Sequence, residues 1–373
     1  MSKLKNFHQV VLLSLIFIFL VSDSAGQKYD PFNFYSSQIQ DSLEISTLSG
    51  WEKQRYEIQQ AMQSVMGQLP SSEPLKKESL RYLDTMENST YVRYRIQFQA
   101  CEDETVKALL YFPKRASVHG KTPAILALHP TGELGKRIVD GDGLPNRAYA
   151  RELAERGYIV IAPDYPGFGE LSDFNFAESR YASGTMAGIF YHRRCVDLLE
   201  TFAEVDANRI GVIGHSLGGH NAMFLAAFDT RIKVIISSCG WTPFEYYDIG
   251  PAAFERYGGR LGPWAQDKYM PRLRDTFKLD GQKIPFDFPE IIALFAPRPF
   301  FSNSPLNDAN FDVGGVKKGI IEAGKVYSFL EAAEQLEVRY PDAEHDFPTP
   351  VRKEAYEFID RHFNYVPSPH ILE

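Results

Sequence analysis

The chain has 373 residues, 44% of them hydrophobic and 24% charged, with a formal net charge of −8, the composition of a folded globular protein. An acidic balance without any run of Lys or Arg excludes a reader of phosphate backbones, so no nucleic-acid partner is expected. The cysteines, Cys101, Cys195 and Cys239, are too few and odd in number for a disulfide framework and lack metal-ligand spacing, so neither a metal nor another cofactor is expected.

Lys3 and Lys5 precede an apolar run from Val10 to Val21, and the small residues Ser24, Ala25 and Gly26 follow. A positive start, a short apolar centre and small residues describe a secretory signal peptide, here residues 1–26 with cleavage near Gly26. The run falls short of the about 20 residues that cross a bilayer. A secreted or periplasmic chain without stable membrane insertion after cleavage is expected, with an uncleaved anchor as the competing reading. Cleavage removes two Lys and one Asp and takes the formal charge from −8 to −9. Cys195 with Cys239 is the pair to test for a bridge, although each reads better as a small buried hydrophobe.

Residues 27–89 read as an N-terminal helical extension. Its first part, 27–50, is polar and irregular. A helix from Trp51 to Met66 follows, with Tyr56, Ile58, Met62 and Met66 near one face, and Pro70 and Pro74 end it. Residues 90–366 form the main domain. Tyr91–Gln99 alternates like a half-buried strand and pairs with Thr105–Phe112 in a hairpin. Short apolar runs come next, at Ala124–Leu128, Tyr158–Ala162, Ile210–Ile213, Val234–Ser237, Pro299–Phe301 and Leu336–Tyr340. Runs of this kind suit strands buried on both faces. Helical patterns at Asn146–Glu155, Ile189–Glu204, Leu217–Ala227 and Lys318–Leu336 lie between them. The expected fold is α/β, a mostly parallel twisted sheet with helices on both faces. Residues 241–289, rich in aromatics, Pro and Gly, break the alternation after the sixth of these strands. They read as a lid-like insertion above the strand ends, where open α/β sheets bind ligands, with plain packing on the body as the alternative.

Gly214-His215-Ser216-Leu217-Gly218-Gly219 stands between a strand and a helix, the context of a nucleophile elbow. The turn is so tight that side chains at 214 and 218 would meet neighbouring backbone, and glycine removes the collision. Ser216 is then exposed at a helix N-terminus, which favours developing negative charge. A serine hydroxyl needs a base. His345 follows the last strand and is the candidate, whereas His362 lies in a charged helix and His370 in the tail. The acid that orients the imidazole is expected after Pro299–Phe301, at Asp308 or Asp312; the choice falls on Asp308, nearer the strand end, which leaves Asp312 as a turn or cap residue. Two backbone N–H groups must hold the oxyanion. Leu217 supplies one, and Thr131 the other, because Pro130 has no N–H. His129 is read as shaping that loop. Tyr165, Trp241 and Trp264 are candidate substrate-binding residues.

Together these residues resemble the α/β-hydrolase superfamily. More narrowly they are similar to secreted bacterial acetylxylan esterases and dienelactone-hydrolase-like proteins, over roughly residues 90–365. The resemblance rests on L-H-P-T-G at 128–132, D-Y-P-G-F-G-E at 164–170, R-I-G-V-I-G-H-S-L-G-G-H at 209–220, W-A-Q-D-K-Y-M-P at 264–271, A-P-R-P-F-F at 296–301 and E-H-D-F-P at 344–348. It implies an esterase acting on acylated carbohydrates, with Asp308 as the acid. The oxyanion loop departs from the family's glycine-rich form.

The expected activity is therefore hydrolysis of a small-molecule or carbohydrate ester through an acyl-enzyme. The same groups could cleave peptides, as in prolyl-oligopeptidase-like enzymes, but those usually carry a β-propeller, and residues 27–89 are too few for one. A non-catalytic binding module is the third reading, because a fold alone does not give a function.

Overall fold

The structure, a computed structural model, describes residues 32–75, 77–114 and 120–367. The expected signal peptide lies outside the described residues. The first elements correct the expectation for residues 27–50. Strands β1 (Phe32–Ser36) and β2 (Asp41–Ile45) pair antiparallel. Phe34 and Ile45 are buried, and the Phe34 ring meets Trp51 edge-on at 5.5 Å. Short alternating edge strands among polar residues carry little apolar signal, which is why this hairpin reads as coil.

Helix α1 (Leu48–Met66) begins at Thr47, whose hydroxyl accepts from the Gly50 amide at 3.1 Å and so satisfies one free N–H of the first turn. Ile58, Met62 and Met66 face inward as expected, but Tyr56 points to solvent. Strand β3 (Arg81–Glu87) then joins the main sheet. A boundary at residue 89 would cut that sheet, which begins at Arg81; the extension is a hairpin and a helix, not helix alone. β3 escapes sequence reading because it is an edge strand with almost every residue exposed.

The main sheet continues with β4 (Tyr91–Cys101), β5 (Glu104–Pro113) and β6 (Thr122–Leu128), then α2 (Tyr149–Glu155) and β7 (Ile159–Pro163). Next come α3 (Gly184–Glu200), β8 (Val205–His215), α4 (Leu217–Phe228) and β9 (Ile232–Ser238). After the insertion, with α5 (Pro251–Tyr257) and α6 (Arg272–Asp275), follow α7 (Phe288–Leu294), β10 (Phe300–Asn303), α8 (Val313–Phe329), β11 (Leu336–Arg339) and α9 (Thr349–Phe363). The strand order is β11-β10-β9-β8-β6-β7-β5-β4-β3, with β6 to β11 parallel and β3 to β5 antiparallel.

Both faces of the parallel part are covered, which explains its continuous apolar runs. Along β6, Ala124, Leu126 and Leu128 enter the core beneath α1, α3, α4, α7 and α8. Ile125 and Ala127 enter the second core, beneath α2 and α9. The chain crosses β8 and α4 with no polar face to spare, and α4 is buried on nearly all sides. Among the described residues no helix is long and apolar enough to cross a membrane.

The 241–289 insertion packs down on the body. Trp241 donates to the Ser302 hydroxyl at 3.0 Å, and Phe244, Trp264 and Phe288 form one aromatic cluster. Within it Asp287 caps α7, and its capping partner Glu290 also accepts the Ser37 amide of the hairpin at 3.0 Å. Burial pushes the Asp287 carboxyl up to about 7 and that of Glu290 to about 8. A raised acid pKa in the folded state means stability that is full below the unfolded values near 4 and is lost as pH rises through 7 to 8. Unfolding free energy is therefore expected to fall between pH 5 and pH 9, and Glu290→Gln to remove about one of the two linked protons. Denaturant titration across that range measures the slope; an identical slope in the variant contradicts the assignment.

Candidate active site

β8 ends at His215 and α4 starts at Leu217, so a single residue makes the turn. Ser216 adopts φ 54° and ψ −117°, a conformation that costs a non-glycine residue of order 1–3 kcal/mol and persists only when its surroundings enforce it. Here they do. The Ser216 amide donates to the Ser238 carbonyl of β9 at 2.8 Å, and the Ser216 carbonyl accepts from Gly219 at 2.9 Å. A Cβ at Gly214 would run into the backbone of Gly218, and one at Gly218 into the carbonyl of Leu128. That carbonyl is itself held by the Tyr149 hydroxyl. Three strands and a helix thus converge on one turn.

His345 lies in the loop between β11 and α9. Its Nδ1 stands 2.9 and 3.0 Å from the two carboxylate oxygens of Asp308. An ionised carboxylate only accepts, so Nδ1 carries the proton and Nε2 is left as an acceptor. The Asp308 side chain is almost wholly buried while that of His345 is a quarter exposed. Asp308 Oδ1 is also fixed by the amides of Asn310 at 2.8 Å and Phe311 at 3.2 Å, and the Phe311 ring stacks on the imidazole at 5.9 Å. Asp312 is turned away and caps α8 through the Gly315 amide.

The His345 loop is gripped from two sides by groups that sequence reading missed. Arg147, buried behind the loop, donates to the His345 carbonyl at 3.0 Å and pairs with the Asp346 carboxylate. Burial raises the Asp346 pKa, but bonds from Arg147 and Asn146 outweigh it and hold the group below the usual carboxylate range. From the other side, Asn303 donates to the Asp346 carbonyl at 2.8 Å, and the Cys239 thiol lies 3.2 Å from the same oxygen. His215 sits beneath, its ring 4.9 Å from that of His345. Burial, with the nearby Arg147 and His345, holds it far below the ordinary histidine value, so it stays neutral. Only the adjacency of Asp346 to His345 and of Asn146 to Arg147 hints at the pairing of Arg147 and Asn146 with Asp346, across about 200 residues of chain.

Ser216, His215 and His345 open into one cavity of about 660 Å³. The rest of its wall, Asn310 apart, is a single stretch of chain: Pro130 to Leu134, Ile138, Asp142 to Leu144, and Arg147. Thr131 lines it, and Leu217 begins α4, whose first N–H groups have no partner within the helix. His129 lies outside the wall as the loop's base. It accepts the Tyr165 amide on Nε2 at 3.0 Å and so donates from Nδ1 to the Pro130 carbonyl at 2.7 Å.

The three substrate-binding expectations are corrected. Tyr165 is buried against Phe168, Leu217 and Tyr269, with its hydroxyl donating to the Lys268 carbonyl. Trp241 and Trp264 lie in the aromatic cluster of the insertion itself, and neither lines the cavity. Aromatic content alone cannot tell a stacking surface from a core. All three cysteines are free, so Cys195 and Cys239 do not pair. Donor atoms of Cys239, Asp308 and His345 come within 4.8 Å of one another, a set a metal could use, but the imidazole–carboxylate bond occupies two of the three.

Residues 139–357 match the alpha/beta hydrolase family. YtaP of Bacillus subtilis (strain 168), provisionally named a hydrolase, is 29% identical over 318 residues, covering 82% of this chain and 99% of its own. The carbohydrate esterase MZ0003, from an unknown prokaryotic organism, is 25% identical over 344 residues, 78% of this chain and 76% of its own. Among solved structures, a glucuronoyl esterase from Solibacter usitatus has the same fold, with a TM-score of 0.67 at 19% identity over 90% of this chain and 99% of that one.

Gly218→Ala puts a methyl group on the Leu128 carbonyl and is expected to destabilise the fold by about 1–3 kcal/mol, the usual cost of overpacking. Thermal unfolding of the variant against the parent measures it, and an unchanged midpoint contradicts the steric account of the turn.

Proposed function

Since this chain belongs to the alpha/beta hydrolase family, we propose that it is a serine esterase that cleaves carboxylic esters of carbohydrates. One observation carries the reading: a half-buried serine in a strained turn shares a cavity with an imidazole whose far nitrogen is bound by a buried carboxylate. In this reading the Ser216 hydroxyl attacks the ester carbonyl while His345 Nε2 takes its proton. Asp308 keeps the imidazole in the right tautomer and stabilises its charged form. The amides of Leu217 and Thr131 hold the oxyanion. The alcohol leaves with the proton from His345, and water, deprotonated by the same imidazole, releases the acid.

Carbohydrate as the substrate class is supported by the names of MZ0003 and of the Solibacter usitatus enzyme. A cavity of about 660 Å³ is of the size that holds a small molecule, and an acetylated sugar is the substrate proposed. The make-up of residues 1–26 supports export from the cytoplasm, and amino-terminal sequencing of the exported chain tests it by a new end near Gly26.

Ser216→Ala is expected to lower turnover of p-nitrophenyl acetate by about a thousandfold or more, with circular dichroism unchanged. Release of acetate from acetylated xylan then tests the substrate class. Turnover of a prolyl amide without ester turnover would instead make the chain a peptidase. Asp308→Asn should lose about as much as triad-acid variants do, on the order of 10⁴ in kcat. Asp312→Ala should lose only helix-cap stability, about 1 kcal/mol; the reverse ranking would reject Asp308 as the acid.

A further inference from the structure

The cavity wall between residues 130 and 147 has an anchor that the chemistry above does not use. Lys136 lies in the middle of the 130–147 stretch, between the parts that line the cavity, yet its side chain turns away from the cavity into the body. It is only 2% exposed and pairs with Asp164, which is fully buried; its Nζ is also 3.2 Å from Glu170. Asp164 binds Lys136 at both ends, since its Oδ1 accepts the Lys136 amide at 2.8 Å and its Oδ2 the ammonium. Oδ2 also accepts the Glu170 amide at 3.0 Å. The carboxylate is so closely wrapped that a Cβ at Gly135 or Gly169 would strike it. Both glycines have the left-handed φ that such wrapping needs, 53° and 55°. Glu170 is held in turn by Arg95 at 3.0 Å and, through its carbonyl, by Lys107 at 2.8 Å.

Stability alone does not account for this arrangement. Taking an ammonium and a carboxylate out of water is so costly that an apolar pair of equal volume is often as stable or more so. What charged hydrogen bonds add is direction: three bonds fix one point of a loop relative to one strand end. That strand end, 164–170, also holds the base of the same loop, where the Tyr165 amide reaches His129.

We propose that Lys136, through its buried pairing with Asp164, is a positioning residue of the ester site, fixing the loop that carries the Thr131 amide and the cavity wall. The inference rests on the esterase reading. A loop free to shift by even about 1 Å would weaken the oxyanion bond, which forms fully only in the transition state, so the loss falls on kcat.

The test compares the parent, Lys136→Met, Asp164→Asn and the double variant, each folded enzyme being counted by complete labelling with a fluorophosphonate. Per labelled site, Lys136→Met is expected to turn over p-nitrophenyl acetate at least about tenfold more slowly, with KM within about threefold. The double variant should regain thermal stability relative to the sum of the single changes, because no unpaired charge stays buried, but not kcat. A lowered melting temperature with parental kcat per site would make Lys136 purely structural and overturn the proposal. Should Lys136→Met fail to fold, Glu170→Gln, on a partly exposed side chain, removes one of the two anions. It should lose about threefold or more in kcat, and an unchanged kcat there overturns the proposal equally. If the parent neither turns over esters nor is labelled at Ser216, the esterase reading fails instead.

Discussion

The site is organised around the backbone of one residue. Ser216 is held at φ 54° and ψ −117° because the chain must pass from β8 into α4 without an intervening loop. Leu128, Gly214 and Gly218 leave no room for a wider path. The turn sets Ser216 at the start of α4 and on the cavity that His345 also lines, beside the first amides of that helix, which have no intrahelical partner. A relaxed turn would lose both together, so the strain is inseparable from the chemistry proposed for the site.

The imidazole is governed differently. His345 sits in a loop, and loops position side chains well only when their own backbone is tied down. Here the peptide after His345 is bound by Asn303 and lies against Cys239, while Arg147 takes the His345 carbonyl and the Asp346 carboxylate. Asp308, in turn, is fixed by two amides of its own turn. The position of the imidazole is thus set by backbone carbonyls and amides as much as by side chains.

What could be read in advance divides along the range of the interactions. The Ser216 turn is legible because its requirement for glycine is met within five residues. The parallel strands are legible because burial on both faces leaves unbroken apolar runs. Asp308 reads correctly as the residue beside His345 because a short turn after β10 leaves few choices. Arg147 and Lys136 do not read at all, since the partners of Arg147 lie about 200 residues away, the 28 between Lys136 and Asp164 exceed any local pattern, and a lone basic residue is most often solvated. β3 is missed because an edge strand exposed along its length has no hydrophobic period. Trp241 and Trp264 are misplaced for the opposite reason: a ring that could stack on a sugar is just as suited to a core.

The long wall of the cavity is nearly one continuous piece of chain, whereas serine, histidine and acid come from three separate places in the fold. In the proposed reading, the space for substrate is therefore shaped mostly by one segment, while the reacting side chains come from others. Exchanging the side chains at Leu134, Ile138 and Leu144, with the Thr131 backbone, Lys136 and Arg147 kept, is expected to change which ester fits while the groups proposed for the chemistry stay in place. Relatives built on this plan would be expected to differ most in that stretch, and a library confined to those few residues would sample new specificities without disturbing the turn at Ser216.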